Sequence, residues 1–276
     1  MRTAVKPRSS VTRVLATLAV VSAVAAVFVW PPAAVMLLGA GAIATVAAKR
    51  YGLPLAIATG FIAWQLSTFA ALVGARVMGV NPGYGVTVAG LAVAAVAITL
   101  ERRIHPSTQI TVIPIAAIYA SLAGGAIWLV SLLLGFLSPR GAGLTWATYK
   151  DSAFDIFGMR MIIWSGGQTP AGGNPRPLEH VMSASFLPAN HVVDASPPSL
   201  REQLIAHAAH WSTLIVVACL LAGIMSVLLA VRAGLHGTRV VVVAATVSIG
   251  MLLTPITGLI IDFGQINGHL VVVYIL

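Results

Sequence analysis

Two carboxylates at helical spacing, Asp151 and Asp155, are the residues of this chain best suited to chemistry by type and position. They lie in a polar stretch, residues 146–191, between long apolar runs. This stretch and its flanks hold five of the seven acidic residues (Asp151, Asp155, Glu179, Asp194 and Glu202). Such carboxylates can act as general bases, or bind a divalent cation (Mg²⁺ or Mn²⁺) beside a phosphate leaving group. The alternative is that any long loop outside a bilayer must be polar to stay hydrated.

The residues that follow Asp151 predict a helix lying on the membrane surface. The sequence from Asp151 to Trp164 has no proline and is amphipathic but strongly hydrophobic, which is typical of an interfacial helix. On such a helix Asp151 and Asp155 share one face. Asp151 has an alternative role as an N-cap at the helix start, whereas Asp155 has none. Because like charges at this spacing repel, we expect at least one of them to meet a cation, a metal ion or a substrate hydroxyl.

Basic and titratable residues accompany the acid pair in the same loop. Arg160 and Arg176 carry the charge needed to contact phosphate oxygens. Glu179 stands next to His180 and places an acid beside a titratable base. All four are candidate substrate-binding residues.

A histidine pair, His207 and His210, follows the loop at a spacing that places both rings on one helical face. The sequence offers no third or fourth ligand for zinc, so no metal site is assigned to this pair. We expect both histidines to be polar helix ends at the membrane interface. Cys219 is the single cysteine, so no disulfide can form within the chain, and it is predicted to face lipid or another helix.

Composition sets the class of protein. The chain is 58% hydrophobic and only 8% charged, against about 25% charged residues in soluble domains. The apolar runs do not alternate as barrel strands do, so the sequence predicts an all-α polytopic membrane protein in contact with the lipid bilayer. The net charge of +9 does not indicate nucleic-acid binding, because the basic residues lie in short clusters without interleaved aromatic residues.

Seven spans and one large outer loop are predicted. The spans cover about residues 14–30, 33–48, 53–77, 86–100, 110–137, 211–231 and 240–261. This divides the chain into a five-span region, 1–137, an outer loop, 138–210, and a C-terminal membrane region, 211–276. Basic clusters at the N-terminus and in the turns predict a cytoplasmic N-terminus and an extracytoplasmic 138–210 loop in the plasma membrane. The glycines at 39 and 41 are predicted to serve helix packing.

The end of the chain carries a second polar group. Asp262 lies at the outer end of the seventh span, and Gln265 and Asn267 beside it can hydrogen-bond a sugar or cap a helix turn. The apolar run at 266–276 is shorter than the roughly 20 residues needed to cross a bilayer. We therefore expect the sequence to be a fragment of a longer protein, the alternative being a half-helix at the interface.

A resemblance to GT-C-type membrane glycosyltransferases is carried by residues 150–167 (KDSAFDIFGMRMIIWSGG) and 174–177 (NPRP), which look like the first large outer loop of actinobacterial members. Residues 262–267 (DFGQIN) resemble the Gly-Gln-x-Asn turn of members that use polyprenyl-phosphate-mannose. The resemblance implies a multi-pass transferase that moves a sugar, by inversion or retention, from a polyprenyl-phosphate donor to a cell-envelope acceptor on the outer face. It also implies that Asp151 or, failing that, Asp155 is the catalytic base.

A non-enzymatic protein is the second hypothesis from the sequence. The predicted spans contain almost no charge, which argues against an ion-coupled transporter but is compatible with a scaffold or a transport-complex subunit that binds other membrane proteins.

Overall fold

A computed structural model of the chain describes residues 10–26, 31–106, 113–137, 182–187 and 198–253. Over these residues the regular structure is entirely helical, which confirms the all-α prediction. The helices are α1 Val11–Ala26, α2 Pro32–Tyr51, α3 Leu53–Met78, α4 Pro82–Arg103, α5 Ile115–Ala120, α6 Ala123–Leu137, α7 Leu200–Arg232 and α8 Thr238–Leu252. In the described parts, four helices (α2, α3 over Leu53–Ala75, α4 and α7) are long and apolar enough to cross a membrane.

The first four helices form one packed group with α2 at its centre. Small residues let the backbones approach: a Cβ atom on Gly39 of α2 would lie 2.6 Å from the carbonyl oxygen of Gly90 in α4. A Cβ atom on Gly90 would lie 2.7 Å from the backbone nitrogen of Met36. Contacts this close leave no room for a side chain, so the predicted packing role is confirmed for Gly39. Gly41 faces Leu15 of α1 at ordinary contact distance.

An ionic contact joins the start of α1 to the ends of α2 and α4. The Lys49 Nζ atom lies 2.6 Å from the Glu101 Oε1 atom, and the Ser10 hydroxyl donates to the same oxygen. The residues predicted to share the cytoplasmic side therefore lie at one end of the helix group, here called the basic end. Arg50, Arg102 and Arg103 are at the same end, in the last turns of α2 and α4.

Glu101→Gln is expected to lower the free energy of unfolding by about 1–2 kcal/mol, because the charged acceptor shared by Lys49 and Ser10 is lost. Thermal unfolding in detergent measures the change, and high salt should shrink it because salt screens exposed ion pairs. Arg103→Gln, an exposed substitution at the same end, should change stability by no more than about 0.5 kcal/mol. Equal effects of the two substitutions would refute the structural role of the contact.

The fifth predicted span, about 110–137, is a broken helix over its described part. α5 ends at Ala120, a turn covers 121–122, and α6 begins at Ala123. The Ser248 hydroxyl of α8 fills the break: it donates to the Ser121 carbonyl oxygen at 2.7 Å and accepts from the Gly124 backbone N–H at 3.0 Å. These bonds satisfy backbone groups that a helix break would otherwise leave unpaired in an apolar environment.

The sixth predicted span begins earlier than expected. α7 starts at Leu200 rather than at Trp211 and has 33 residues, about 50 Å of helix. A capping box sets its start: the Ser199 hydroxyl accepts from the Glu202 backbone N–H, and the Glu202 carboxylate accepts from the Ser199 backbone N–H. Residues 200–210, assigned to the outer loop, are therefore continuous with the helix.

α6 and α7 are antiparallel. Gly125 of α6 lies against Val216 of α7, and further along α6 the Trp128 indole N–H donates to the Ser212 hydroxyl at 2.9 Å. The C-terminal end of α6 and the N-terminal end of α7 therefore lie at the same end of the molecule. Residues 182–187 connect this region to the first helix group, because the Ala33 N–H at the start of α2 donates to the Ser185 carbonyl at 2.8 Å. This end, opposite to the basic end, is called the loop end.

Candidate functional site

The nine residues predicted to form the site lie outside the described residues. They are Asp151, Asp155, Arg160, Arg176, Glu179, His180, Asp262, Gln265 and Asn267. The same holds for the predicted surface helix at 151–164 and for the short apolar run at 266–276. Among the residues that the sequence singled out for possible chemistry, the structure describes His207, His210, Glu202 and Cys219, all of them on α7.

His207 and His210 belong to a buried aromatic cluster near the loop end. Both histidines have no exposed surface, which differs from the predicted interfacial position. Trp64 of α3 packs edge-on against the His210 ring, with ring centres 6.2 Å apart. Trp211 lies 5.6 Å from the His210 ring and 6.0 Å from the His207 ring, and Phe186 lies 6.2 Å from His210. The cluster thus joins three separate parts of the chain: α3, residues 182–187 and α7.

The position of the His210 ring is fixed by a serine from the 182–187 turn. The Ser183 Oγ atom and the His210 Nδ1 atom are 2.9 Å apart. The turn itself is held by a bond from the Ser185 hydroxyl to the Met182 carbonyl oxygen at 2.6 Å and by the Phe186 N–H bond to the Ser183 carbonyl at 3.1 Å. One turn before His207, the Gln203 side-chain amide donates to the Pro198 carbonyl oxygen at 2.5 Å. These bonds order the entry of the chain into α7.

The chemistry of this cluster is limited by what surrounds it. A serine hydroxyl within hydrogen-bond distance of an imidazole is the arrangement in which histidine can accept the hydroxyl proton. However, Ser183 and His210 are both fully buried, so no solvent-borne substrate reaches the hydroxyl in this conformation. Within the described ranges no group of three or more His, Cys, Asp or Glu residues comes together to hold a metal ion. We therefore interpret the Ser183–His210 bond as an anchor that fixes the 182–187 turn to α7.

Ser183→Ala is expected to destabilise the protein by about 1–3 kcal/mol, since it removes the partner of a buried imidazole nitrogen. Thermal unfolding in detergent measures the loss. Ser67→Ala on α3 is the matched control, because the Ser67 side chain is half-buried beside a groove and makes no hydrogen bond within the described residues. Its effect should stay within about 0.5 kcal/mol. An unchanged unfolding temperature for Ser183→Ala would show that the bond is not an anchor.

The residues that pack around the histidine pair were not among those predicted from the sequence. Trp64 is placed mid-span in α3, and its indole nitrogen is buried without a hydrogen-bond partner among the described residues. The available signal was the spacing of His207, His210 and Trp211, which puts the three rings on one side of a helix. The sequence of α7 alone does not indicate that α3 and residues 182–187 pack against that side.

Cys219 is fully buried and faces α6, where a Cβ atom on Gly124 would lie 3.0 Å from its sulfur. Of the two positions predicted for this cysteine, the helix-facing one is confirmed.

Comparison of the chain with protein-family models, with curated proteins and with solved structures gives no match.

Proposed function

We propose that this protein is a multi-pass membrane glycosyltransferase of the GT-C type, which moves a sugar from a polyprenyl-phosphate donor to a cell-envelope acceptor at the outer face of the plasma membrane. The observation that carries the proposal is the placement of the acid-bearing segment. Residues 138–181 follow the C-terminal end of α6 and precede the 182–187 turn, and both flanks lie at the loop end. Both points of attachment are therefore remote from the Lys49–Glu101 contact.

The proposed orientation of the protein in the membrane is based on the positions of its basic residues. Arg50, Arg102 and Arg103 lie at the basic end, and short loops rich in Lys and Arg stay on the cytoplasmic side. In the proposed orientation the loop end therefore faces outward, where lipid-linked sugar donors would meet their acceptors. The seven predicted spans and the cytoplasmic N-terminus are part of this proposal.

The proposed chemistry needs one base and a set of phosphate and sugar contacts. Asp151 takes the proton from the acceptor hydroxyl, with Asp155 as the alternative base. The acceptor oxygen then bonds to the anomeric carbon, and the bond from that carbon to the lipid phosphate breaks. Arg160 and Arg176 bind the phosphate that leaves, with Glu179 and His180 nearby in the sequence. Asp262, Gln265 and Asn267 supply hydrogen bonds to the sugar.

A transfer assay tests the proposal. The detergent-purified protein is incubated with a panel of radiolabelled polyprenyl-phosphate sugars and with a cell-envelope extract as acceptor. We expect label to move from one donor into the acceptor fraction, and heat-unfolded protein to give none. A folded preparation, verified by its thermal unfolding transition, that transfers label from no donor in the panel would refute the proposal.

The second candidate is a non-enzymatic scaffold for other membrane proteins. It is favoured by the polar contacts of the described helices, which serve packing: Ser248 fills the α5–α6 break and Ser212 accepts from Trp128. The two candidates differ in the transfer assay. A scaffold should instead purify from crosslinked membranes with one stoichiometric partner. After that partner is removed, the protein alone should show no transfer activity.

A further inference from the structure

An open apolar groove of about 460 Å³ runs along the contact between α6 and α7. Leu129 and Leu132 form one wall, Ala208 and Ala209 leave space on the other, and Phe186 of the short turn also lines it. Two hydroxyl groups line the groove, and both are already engaged. Ser212 accepts from the Trp128 indole, and Thr213 donates to the Ala209 carbonyl oxygen at 2.9 Å. The groove therefore presents an apolar surface, suited to a hydrocarbon chain.

The surface beside the groove is apolar as well. Because α6 and α7 are antiparallel and Trp128 meets Ser212, the C-terminal half of α6 lies beside the first turns of α7. In that half, Leu133 and Leu134 are 57% and 63% exposed. If α6 lies in the bilayer, these exposed leucines face hydrocarbon, and we expect lipid chains to extend along the groove to the level of the first turns of α7.

The Arg201 side chain provides a positive charge near the loop end of the groove. Arg201 is four residues before Ile205, which lines the groove, so the two side chains share one side of α7. Arg201 is exposed and forms no ion pair or hydrogen bond within the part of the chain that the structure describes. The neighbouring carboxylate of Glu202 is held by Ser199 in the capping box. Arg201 therefore lies one turn beyond the apolar lining, toward the loop end.

We propose that this groove holds one acyl chain of an anionic glycerophospholipid of the bilayer, with the lipid phosphate against the Arg201 guanidinium. The Arg201 cation, which has no ion pair among the described residues, selects the negative headgroup, and the apolar walls select the chain. The site is separate from the proposed transferase chemistry, because it needs neither a donor sugar nor an acceptor. Its test measures lipid binding alone, so its failure is distinguishable from a failure of sugar transfer.

Native mass spectrometry of the detergent-purified protein tests the headgroup contact. The protein is titrated with phosphatidylglycerol, with phosphatidylcholine of identical chains, and with glycerol 3-phosphate. We expect phosphatidylglycerol to bind about fivefold more tightly than phosphatidylcholine, the effect of one cation near a lipid phosphate, and glycerol 3-phosphate not to compete at equal concentration. Arg201→Gln should reduce the preference, whereas Arg50→Gln, an exposed cation at the basic end, should not reduce the binding that Ala209→Phe removes.

A second variant tests the groove itself. Ala209→Phe fills the space and should lower binding of both phospholipids about tenfold, while Ala92→Phe, in a separate groove of about 380 Å³ between the first helices, should leave binding unchanged. Should Ala209→Phe fail to fold, Thr213→Leu gives the same comparison with less bulk. Equal affinity for the two headgroups, a preference that Arg201→Gln leaves unchanged, or full competition by glycerol 3-phosphate would each overturn the assignment.

Discussion

Asp151→Asn is expected to lower sugar transfer by at least about a hundredfold, because asparagine keeps the shape of aspartate but cannot accept the proton of the acceptor hydroxyl. The amount of protein in the membrane and its thermal unfolding should not change, since the substitution removes one charge from a segment predicted to lie at the membrane surface. The measurement is the initial rate of label transfer from the donor that supports activity in the wild type. This prediction depends on the proposed function.

Two further variants make the prediction about Asp151 specific. Asp194→Asn removes an acid of the predicted outer loop to which we assign no role, and it should keep the wild-type rate. Asp155→Asn should reduce the rate less than Asp151→Asn if Asp155 only supports the site. If Asp155→Asn abolishes transfer and Asp151→Asn does not, then Asp155 is the base. Full activity of both variants would exclude the acid pair from catalysis.

Gly124→Ala is expected to destabilise the protein by about 1–3 kcal/mol, the cost of inserting atoms into a packed helix contact. A Cβ atom at this position would overlap the Ser248 carbonyl oxygen of α8, and it would lie 2.8 Å from the Ser248 carbonyl carbon and 3.0 Å from the Cys219 sulfur of α7. These atoms cannot retreat easily, because the Ser248 hydroxyl is bonded to both sides of the α5–α6 break. Thermal unfolding in detergent, at matched protein and detergent concentrations, measures the effect.

Gly74→Ala is the matched control for Gly124→Ala. A Cβ atom on Gly74 of α3 would have the Met78 methyl group as its nearest neighbour, at an ordinary 3.7 Å. Since alanine favours a helix over glycine by about 1 kcal/mol, Gly74→Ala should leave stability unchanged or raise it. If Gly124→Ala also raises the unfolding temperature, the close contact of α6 with α8 does not exist in the folded protein.

The sequence by itself was sufficient to predict the all-helical class and the approximate course of the long apolar helices. Long apolar runs and basic turns are local properties, so α2 and α3 were predicted to within a few residues, and the Lys49 and Glu101 turns were correctly grouped on one side. The small-residue contact of Gly39 was also predictable, because glycine in a span has few other uses. The predicted acid site at 151–155 stays a prediction.

Tertiary structure decided the features that depend on partners far away in the sequence. The break between α5 and α6 needs the hydroxyl of Ser248, which donates to the carbonyl oxygen of Ser121, 127 residues earlier in the chain. His207 and His210 are typical interfacial residues by sequence, but they are buried because Trp64 and residues 183–186 pack around α7. A buried polar group is stable only where other segments supply its hydrogen bonds and its cover. Those segments are brought together by folding, and no local sequence pattern predicts their placement.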